Sequence, residues 1–350
     1  MSRIFRSWGF SPGRGDTSKT SSEIRRDKKL AKVPVAIFIH SRPLETGLVM
    51  NSVAKYQPEK LYVIADGPRH DYPGEAEACH EARELFAQVG WDCDIQRRFR
   101  SENLGSGASV KEGLDWVFSI EDSLIILEDD TVPNPMFFEL CEELLPKYAE
   151  DPRIGMISGS RVVQEPSPYR SSYTFSRVPI TWGWASWSRA WKGLDWDMEW
   201  RELRELKTLK KISLNRKHFY YWRWVLALLD SKEVDAWDWQ WNLSLAIAQQ
   251  YTVVPSVNLV ENIGFGARAT HTFGIPKGLE ATGATPSRYV AGQNVVPLNR
   301  GYERRLIKRF LPDRRPERLL AKFLFQKVVR EPRDFLYLLF VKKIVRETPS

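Results

Sequence analysis

Nothing in this 350-residue chain is apolar for long enough to cross a bilayer: its longest uninterrupted apolar run is seven residues, 335–341, where a spanning helix needs roughly 20. Residues 1–30 carry Arg3, Arg6, Arg14 and the run Arg25, Arg26, Lys28, Lys29 but no apolar stretch of the kind a secretory signal peptide has. A cytoplasmic location is therefore expected. Cysteine is scarce, and Cys79, Cys93 and Cys141 are odd in number and far from CxxC spacing, so they read as buried or free thiols and not as a disulfide frame or zinc site. His40, His70, His80 and His218 form no ligand spacing, and His40 reads as a strand-end residue. The chain also lacks a basic body. The formal charge of +8 divides into +6 over residues 1–32, −6 over 33–300 and +8 over 301–350. A phosphate-backbone groove needs Lys and Arg on the working surface, which argues against a dedicated nucleic-acid-binding core.

What is present is a folded globule, with 43% apolar, 12% aromatic and 27% charged residues. Residues 11–32 mix Ser, Gly, Thr and charge without periodicity and read as a flexible basic arm. From Val33, short β-branched runs at 33–40, 61–66, 91–99, 123–128 and 154–158 alternate with amphipathic segments near 44–56, 74–89, 106–119 and 133–148. That spacing predicts βαβ units and an α/β fold with a mostly parallel sheet covered on both faces. Ligands of such sheets bind beyond the carboxyl ends of the strands, which directs attention to the residues just after each run. The expected division is an arm over 1–32, a catalytic domain over 33–300 with a nucleotide and metal half (33–160) and an acceptor half (161–300), and a basic helical tail over 301–350.

The strongest local signal is Glu128-Asp129-Asp130, three consecutive carboxylates at the end of the apolar run 123–127. Such a trio is costly unless a cation neutralises it, and hard ions such as Mg²⁺ or Mn²⁺ take carboxylate oxygens. A metal and diphosphate site is the natural use; a strand running out into a solvated acidic turn is the other reading. Thr131-Val132-Pro133-Asn134-Pro135 closes the turn and starts a helix. Polar residues also follow the other strands. Arg42 can meet a phosphate, Asp66 can accept hydrogen bonds from a base or ribose, and the stretch from Asn103 to Gly107 allows close backbone approach at a helix N-terminus. Residues 182–241 hold 11 of the 14 tryptophans. Some must be core, but Trp182, Trp184 and Trp187 around Gly183 read as a platform for sugar rings more than Trp222 and Trp224 do.

Taken in order, these motifs resemble those of nucleotide-sugar-dependent glycosyltransferases of the GT-A, Rossmann-like fold, close to the bacterial family 2-like enzymes, over residues 33–275. The triplet with Thr131-Val132-Pro133 and Phe137-Phe138 is similar to the acidic motif of the inverting N-acetylglucosaminyltransferases that start complex N-glycans. The resemblance implies Asp130 as a metal ligand, Glu128 and Asp129 on the donor, Arg42 at the diphosphate or base, Asp66 at a uracil and Asn103 in the donor site. It further implies a catalytic Asp before a Trp, which Asp238-Trp239 matches in the first turn of a helix, where the dipole stabilises a carboxylate. Asp235 reads as an N-cap. In many GT-A enzymes a loop then closes on the donor, implying His271 as a second metal ligand beside Mn²⁺ or Mg²⁺ and Arg268 at the diphosphate.

The implied activity is inverting transfer of a sugar, UDP-linked by preference, to a glycan or lipid-linked acceptor in envelope polysaccharide or glycolipid synthesis. Basic and apolar residues interleave from Arg304 onward, a pattern that can lie on an anionic membrane, each Lys or Arg contributing about 1 kcal/mol. Peripheral contact with the inner face of the cytoplasmic membrane is therefore expected, with packing on the catalytic domain or a second subunit as the other reading. A sugar nucleotidyltransferase would place a Gly-rich loop after the first strand, where this chain has His40-Ser41-Arg42-Pro43. A non-catalytic sugar-binding module would not need the acidic triplet.

Overall fold

The computed structural model describes residues 32–163, 172–231, 235–264 and 298–310. By contact the chain divides into Met1–Lys32 and Val33–Ser350, and the elements below belong to the second unit. They run β1 (Val35–Ile39), α1 (Pro43–Tyr56), β2 (Lys60–Ala65), α2 (Glu75–Glu84), β3 (Asp94–Phe99), α3 (Ser106–Phe118), β4 (Ser123–Glu128), β5 (Thr131–Pro133) and α4 (Pro135–Lys147). Then follow β6 (Ile154–Ser158), β7 (Tyr173–Ser176), β8 (Trp184–Trp187), α5 (Ser188–Trp191), α6 (Trp200–Ile212), α7 (Arg216–Ser231), α8 (Asp238–Ile247), β9 (Tyr251–Pro255), β10 (Val260–Asn262) and α9 (Arg300–Phe310).

Eight strands form one sheet in the order β3-β2-β1-β4-β8-β6-β9-β7, and β5 and β10 form a separate antiparallel pair. The first four strands are parallel throughout, with Val35 opposite both Leu61 and Ile125. β8 runs antiparallel to β4 and to β6, β9 is parallel to β6, and β7 closes the edge antiparallel to β9. This is the α/β, Rossmann-like arrangement expected of a GT-A fold.

Alternation along each strand fixes the two layers. Val35, Ile37 and Ile39 of β1 join Val49 and Val53 of α1, Phe86, and Phe137 and Leu144 of α4 in one core. Ala36 and Phe38 point the other way, onto Val110, Leu114 and Val117 of α3 and onto Trp184, Trp191 and Trp241. Helix starts follow local chemistry: Pro43 stands in the first turn of α1, and the Asn134 side chain caps α4 by accepting from the Met136 N–H at 3.0 Å, with Pro135 at the first helical position.

The expected start of a separate tail at residue 301 falls within the first turn of α9. Tyr302 and Leu306, four residues apart, lie on one buried face with Val162 and Val254, and Glu303 pairs with Arg177 at 2.6 Å. Residues 300–310 thus belong to the body of the fold, because their apolar positions form a stripe that β7 and its neighbours cover; the rest of the expected tail, 311–350, lies outside the described residues.

Candidate active site

β4 sits in the middle of the sheet, and its last residue begins the acidic triplet. The turn from Glu128 is tied by Thr131, whose hydroxyl accepts from the Glu128 N–H at 2.8 Å and donates to the Glu128 carbonyl at 3.1 Å. β5 then pairs with β10, Thr131 opposite Asn262, and the Ile263 N–H donates to the Asp130 carbonyl at 2.8 Å. The triplet therefore lies where the first four strands end and where the chain returns from β10. Arg42, at the end of β1, reaches it directly, its Nη1 standing 2.6 Å from Asp130 Oδ2 and 3.3 Å from Asp129 Oδ1. The His40 N–H donates to Asp129 Oδ2 at 3.2 Å. Burial, then repulsion from Asp130, pushes the Asp129 carboxyl upward while Arg42 holds it down; burial and the neighbouring carboxylates Asp130, Asp129 and Asp238 raise Glu128 further.

The residues after β2 and β3 hold one another. Asp66 is buried and accepts from the backbone N–H groups of Gly67, Leu104 and Gly105 at 3.0 Å each. Asn103 donates its amide to Asp66 at 3.1 Å and to the Gly67 carbonyl at 2.8 Å. His40 bridges to the same carbonyl at 3.0 Å, as a strand-end residue would. The next contact crosses the chain. Gly105 precedes α3 without a side chain to cap it, and the Asp235 carboxylate takes that role, accepting from the Gly107 N–H at 3.0 Å while the Ser106 hydroxyl donates to the Asp235 carbonyl at 3.1 Å. Asp235 is an N-cap, but of a helix 128 residues away and not of the one it precedes.

Asp238 opens α8, and its carboxylate accepts from its own N–H and that of Trp239; burial outweighs these bonds and pushes it up to about 6. Its charge is felt at Glu128, and it also lines a cavity of about 190 Å³ with Trp182, His218, Tyr221, Trp222 and Asn242. Asp238 thus borders an open volume and contributes to the field at Glu128. Arg268 and His271 lie outside the described residues. Among the described residues no group of three His, Cys, Asp or Glu is placed to hold a metal, and no helix is long and apolar enough to cross a membrane.

No protein-family model and no curated protein matches this chain. Solved structures that resemble parts of it include glucosyl-3-phosphoglycerate synthase from Mycobacterium tuberculosis in complex with Mn²⁺, UDP-glucose and phosphoglyceric acid, at 13% identity and TM-score 0.27 over 50% of this chain and 64% of that one. UDP-glucose pyrophosphorylase complexed with UDP-glucose gives 10% identity and TM-score 0.25 over 42% of this chain and 63% of that one. HddC from Yersinia pseudotuberculosis complexed with GMP-PN gives 10% and 0.29 over 45% and 77%. The chain spans less than two thirds of the first two of these proteins.

The structure redistributes the tryptophans. Trp184 and Trp187 are not a platform: β8 is a central strand buried along its whole length, and Trp184 packs on Trp191, Trp237 and Trp241. Of the three tryptophans around Gly183 only Trp182 reaches the cavity, where Trp222 of α7 and Trp239 of α8 join it. Gly183 itself is a backbone requirement, with φ +62° and Val260 against the place a Cβ would take. Thr131, expected to close the triplet's turn, does so through its hydroxyl, and one further residue shapes the triplet without a cue in the sequence. Gly264 lies so close to the Asp130 carboxylate that a Cβ there would collide with it; a glycine directly after Ile263 was visible, but the approach was not.

Proposed function

We propose that this chain is an inverting glycosyltransferase, moving a hexosyl or N-acetylhexosaminyl group from a nucleoside-diphosphate donor, UDP favoured, to an acceptor hydroxyl. The observation that carries this reading is the position of Asp238, which lines a cavity at the start of α8 and whose charge adds to the raising of the Glu128 carboxyl. In the proposed reaction Asp238 takes the proton of the acceptor hydroxyl as its oxygen bonds to the anomeric carbon; the bond from that carbon to the diphosphate breaks, and the nucleoside diphosphate leaves with the electron pair. The transition state has oxocarbenium character. Arg42 offsets charge at the leaving group, and Glu128 and Asp129 hold the donor. Asp66 and Asn103 serve the base side by fixing the loop at 103–105. Arg268, outside the described residues, completes the proposed donor set.

The charge balance of the site fits a divalent ion. Three carboxylates meet one guanidinium, and burial with mutual repulsion raises two of them, a deficit that Mn²⁺ or Mg²⁺ would relieve. Asp130, half-buried and facing Arg42, is the proposed protein ligand, with His271 as a second. When bound, the ion would neutralise negative charge on the diphosphate. The similarity of the triplet to the acidic motif of inverting N-acetylglucosaminyltransferases supports this division of roles. A cytoplasmic site of action, with residues 311–350 on an anionic membrane near a glycan or lipid-linked acceptor, is part of the same proposal; liposomes that fail to float the chain would remove that part.

A thermal-shift screen of nucleotide sugars with and without Mn²⁺ tests the core of the reading. At least one donor should stabilise the chain in a metal-dependent way, and Asp238→Asn should keep that shift and lose transfer. Full turnover by Asp238→Asn would mean that the base has been misassigned.

A further inference from the structure

The hairpin that α6 and α7 form separates its charges by position. Arg201, in the first turn of α6, meets Asp230, near the end of α7, at 2.7 and 2.8 Å and Glu205 at 3.5 Å. The two helices therefore run antiparallel, and their connection at 213–215 lies at the end away from these acids. From Leu206 to Leu229 the chain holds six Lys or Arg and no Asp or Glu, a local +6 inside a domain whose own balance is −6. Lys207, Lys210, Lys211, Arg216 and Lys217 are exposed, and Arg223 is half-buried. Among the described residues none of the six is paired with a carboxylate.

Part of this cluster goes against local preference. Lys210 and Lys211 close α6, where cations meet the negative end of the helix dipole and need no other reason. Arg216 and Lys217 open α7, whose first turn holds no acid, and there the dipole opposes a cation. A choice that disfavours the fold and finds no partner within it points to a partner outside. Rings stand among the cations. Arg216, Phe219, Tyr220 and Arg223 recur at the spacing of one helix face, while His218, Trp222, Val225 and Leu226 are buried on the other. Phe219 packs on the rim of the cluster holding Leu209 and Leu243 and stands edge-on to Tyr220 at 5.5 Å, and the Arg216 guanidinium lies 5.7 Å from the centre of the Tyr220 ring. Stacking of nucleic-acid bases needs free ring faces, and these rings are already engaged. Half-exposed amphipathic rings beside cations suit the headgroup level of an anionic membrane. α9 adds exposed Arg304, Lys308 and Arg309 beside the hairpin, since its Leu306 and Ile307 wall the same cavity as Ile212 and His218.

We propose that the tip of the α6–α7 hairpin docks on an anionic membrane leaflet, its cations among the headgroups and Phe219 and Tyr220 at the polar boundary, independently of residues 311–350. The inner face of the same hairpin lines the cavity beside Asp238 through Ile212, His218, Tyr221 and Trp222, so docking holds that cavity about one helix diameter, roughly 10 Å, from the headgroups. Delivery of a lipid-linked acceptor there rests on the transferase reading; the docking does not. The test floats the full chain with vesicles of phosphatidylcholine alone or mixed with phosphatidylglycerol, at low and high salt. The chain should float with the mixed vesicles at low salt and with neither kind at high salt. Two paired substitutions at exposed positions, Lys210→Gln with Lys211→Gln and Arg216→Gln with Lys217→Gln, should each lower the partition coefficient about 25-fold, about fivefold per charge. Tyr220→Ser should weaken binding and leave its salt dependence unchanged. Indifference to both pairs would assign flotation to another part of the chain and overturn the proposal. So would equal binding to phosphatidylcholine alone, no flotation at low salt, or tighter binding of a thymidine oligonucleotide that the same pairs abolish. Full turnover by Asp238→Asn would remove the assigned base and leave flotation as it is, so the two readings fail separately.

Discussion

The two halves of the sheet treat their polar side chains in opposite ways. On the side of β3, β2, β1 and β4, the groups at the strand ends have found one another: Asp66 holds the loop at 103–105, Arg42 spans Asp129 and Asp130, and Asp235 reaches across to cap α3. On the side of α7, α8 and α9, Trp182, Trp222 and Trp239 line an open volume. A ligand on the first side must share or exchange contacts already made, while one on the second enters a space walled largely by aromatic side chains. The first side is therefore tuned by competition, the second by fit. Asp238 belongs to both, which is why its substitution should have the largest effect.

Asp238→Asn should lower transfer about 10³-fold, within the usual range for loss of a general base, with nucleotide affinity unchanged. It should also stabilise the protein. The folded carboxyl sits at about 6, above its unfolded value, so its contribution favours folding at low pH and is lost as pH rises through about 6; at neutral pH the asparagine variant should gain about 1 to 3 kcal/mol. Urea unfolding at pH 7 and pH 4 checks this, since the gain should vanish at the lower value. In the wild type the rate of transfer should fall as pH drops below about 6, about tenfold per unit. A flat profile there would detach Asp238 from the chemistry.

Next in size is Asp130→Ala, which should abolish the Mn²⁺-dependent thermal shift with a nucleotide sugar; a shift that persists would remove Asp130 from the proposed metal ligands. Asp66→Ala should cost about 1 to 3 kcal/mol in urea unfolding, because three backbone N–H groups lose their acceptor; an unchanged midpoint would break the claim that this side is internally paired. Smallest is Asp235→Ala, at about 1 kcal/mol for a lost helix cap, read by the same method and by faster amide exchange in the first turn of α3.

The parts of this molecule legible in the sequence are those decided locally. The apolar runs at 33–40, 61–66 and 123–128 became parallel strands because β-branched residues with no polar partner nearby have little else to do. Asn134-Pro135 started a helix through contacts two residues long. The parts that were not legible are decided by what lies across the fold. Trp184 and Trp187 flank no local sign that their strand is central, and only the pairing of β8 with both β4 and β6 buries them. Asp235 looked like a cap for the helix beside it because the glycine loop it serves is 128 residues away. Arg42 was visible as a cation at a strand end, yet the sequence held no cue that its partners would be the very carboxylates proposed for the metal and donor. The order of motifs pointed to the strand ends, and the fold decides which side chains touch there.

The antiparallel strand β8 also imposes a timetable on synthesis. β4 and β6 are near neighbours in the chain but are joined in the sheet only through residues 184–187. While a ribosome is still short of that point, β3, β2, β1 and β4 can assemble, but the Ser123–Glu128 edge has no strand beside it, and β6 has no partner at all. An apolar strand edge open for that interval is the kind that pairs with other chains. Chaperone capture of nascent chains should therefore peak with β4 exposed and fall away once Trp187 has left the exit tunnel.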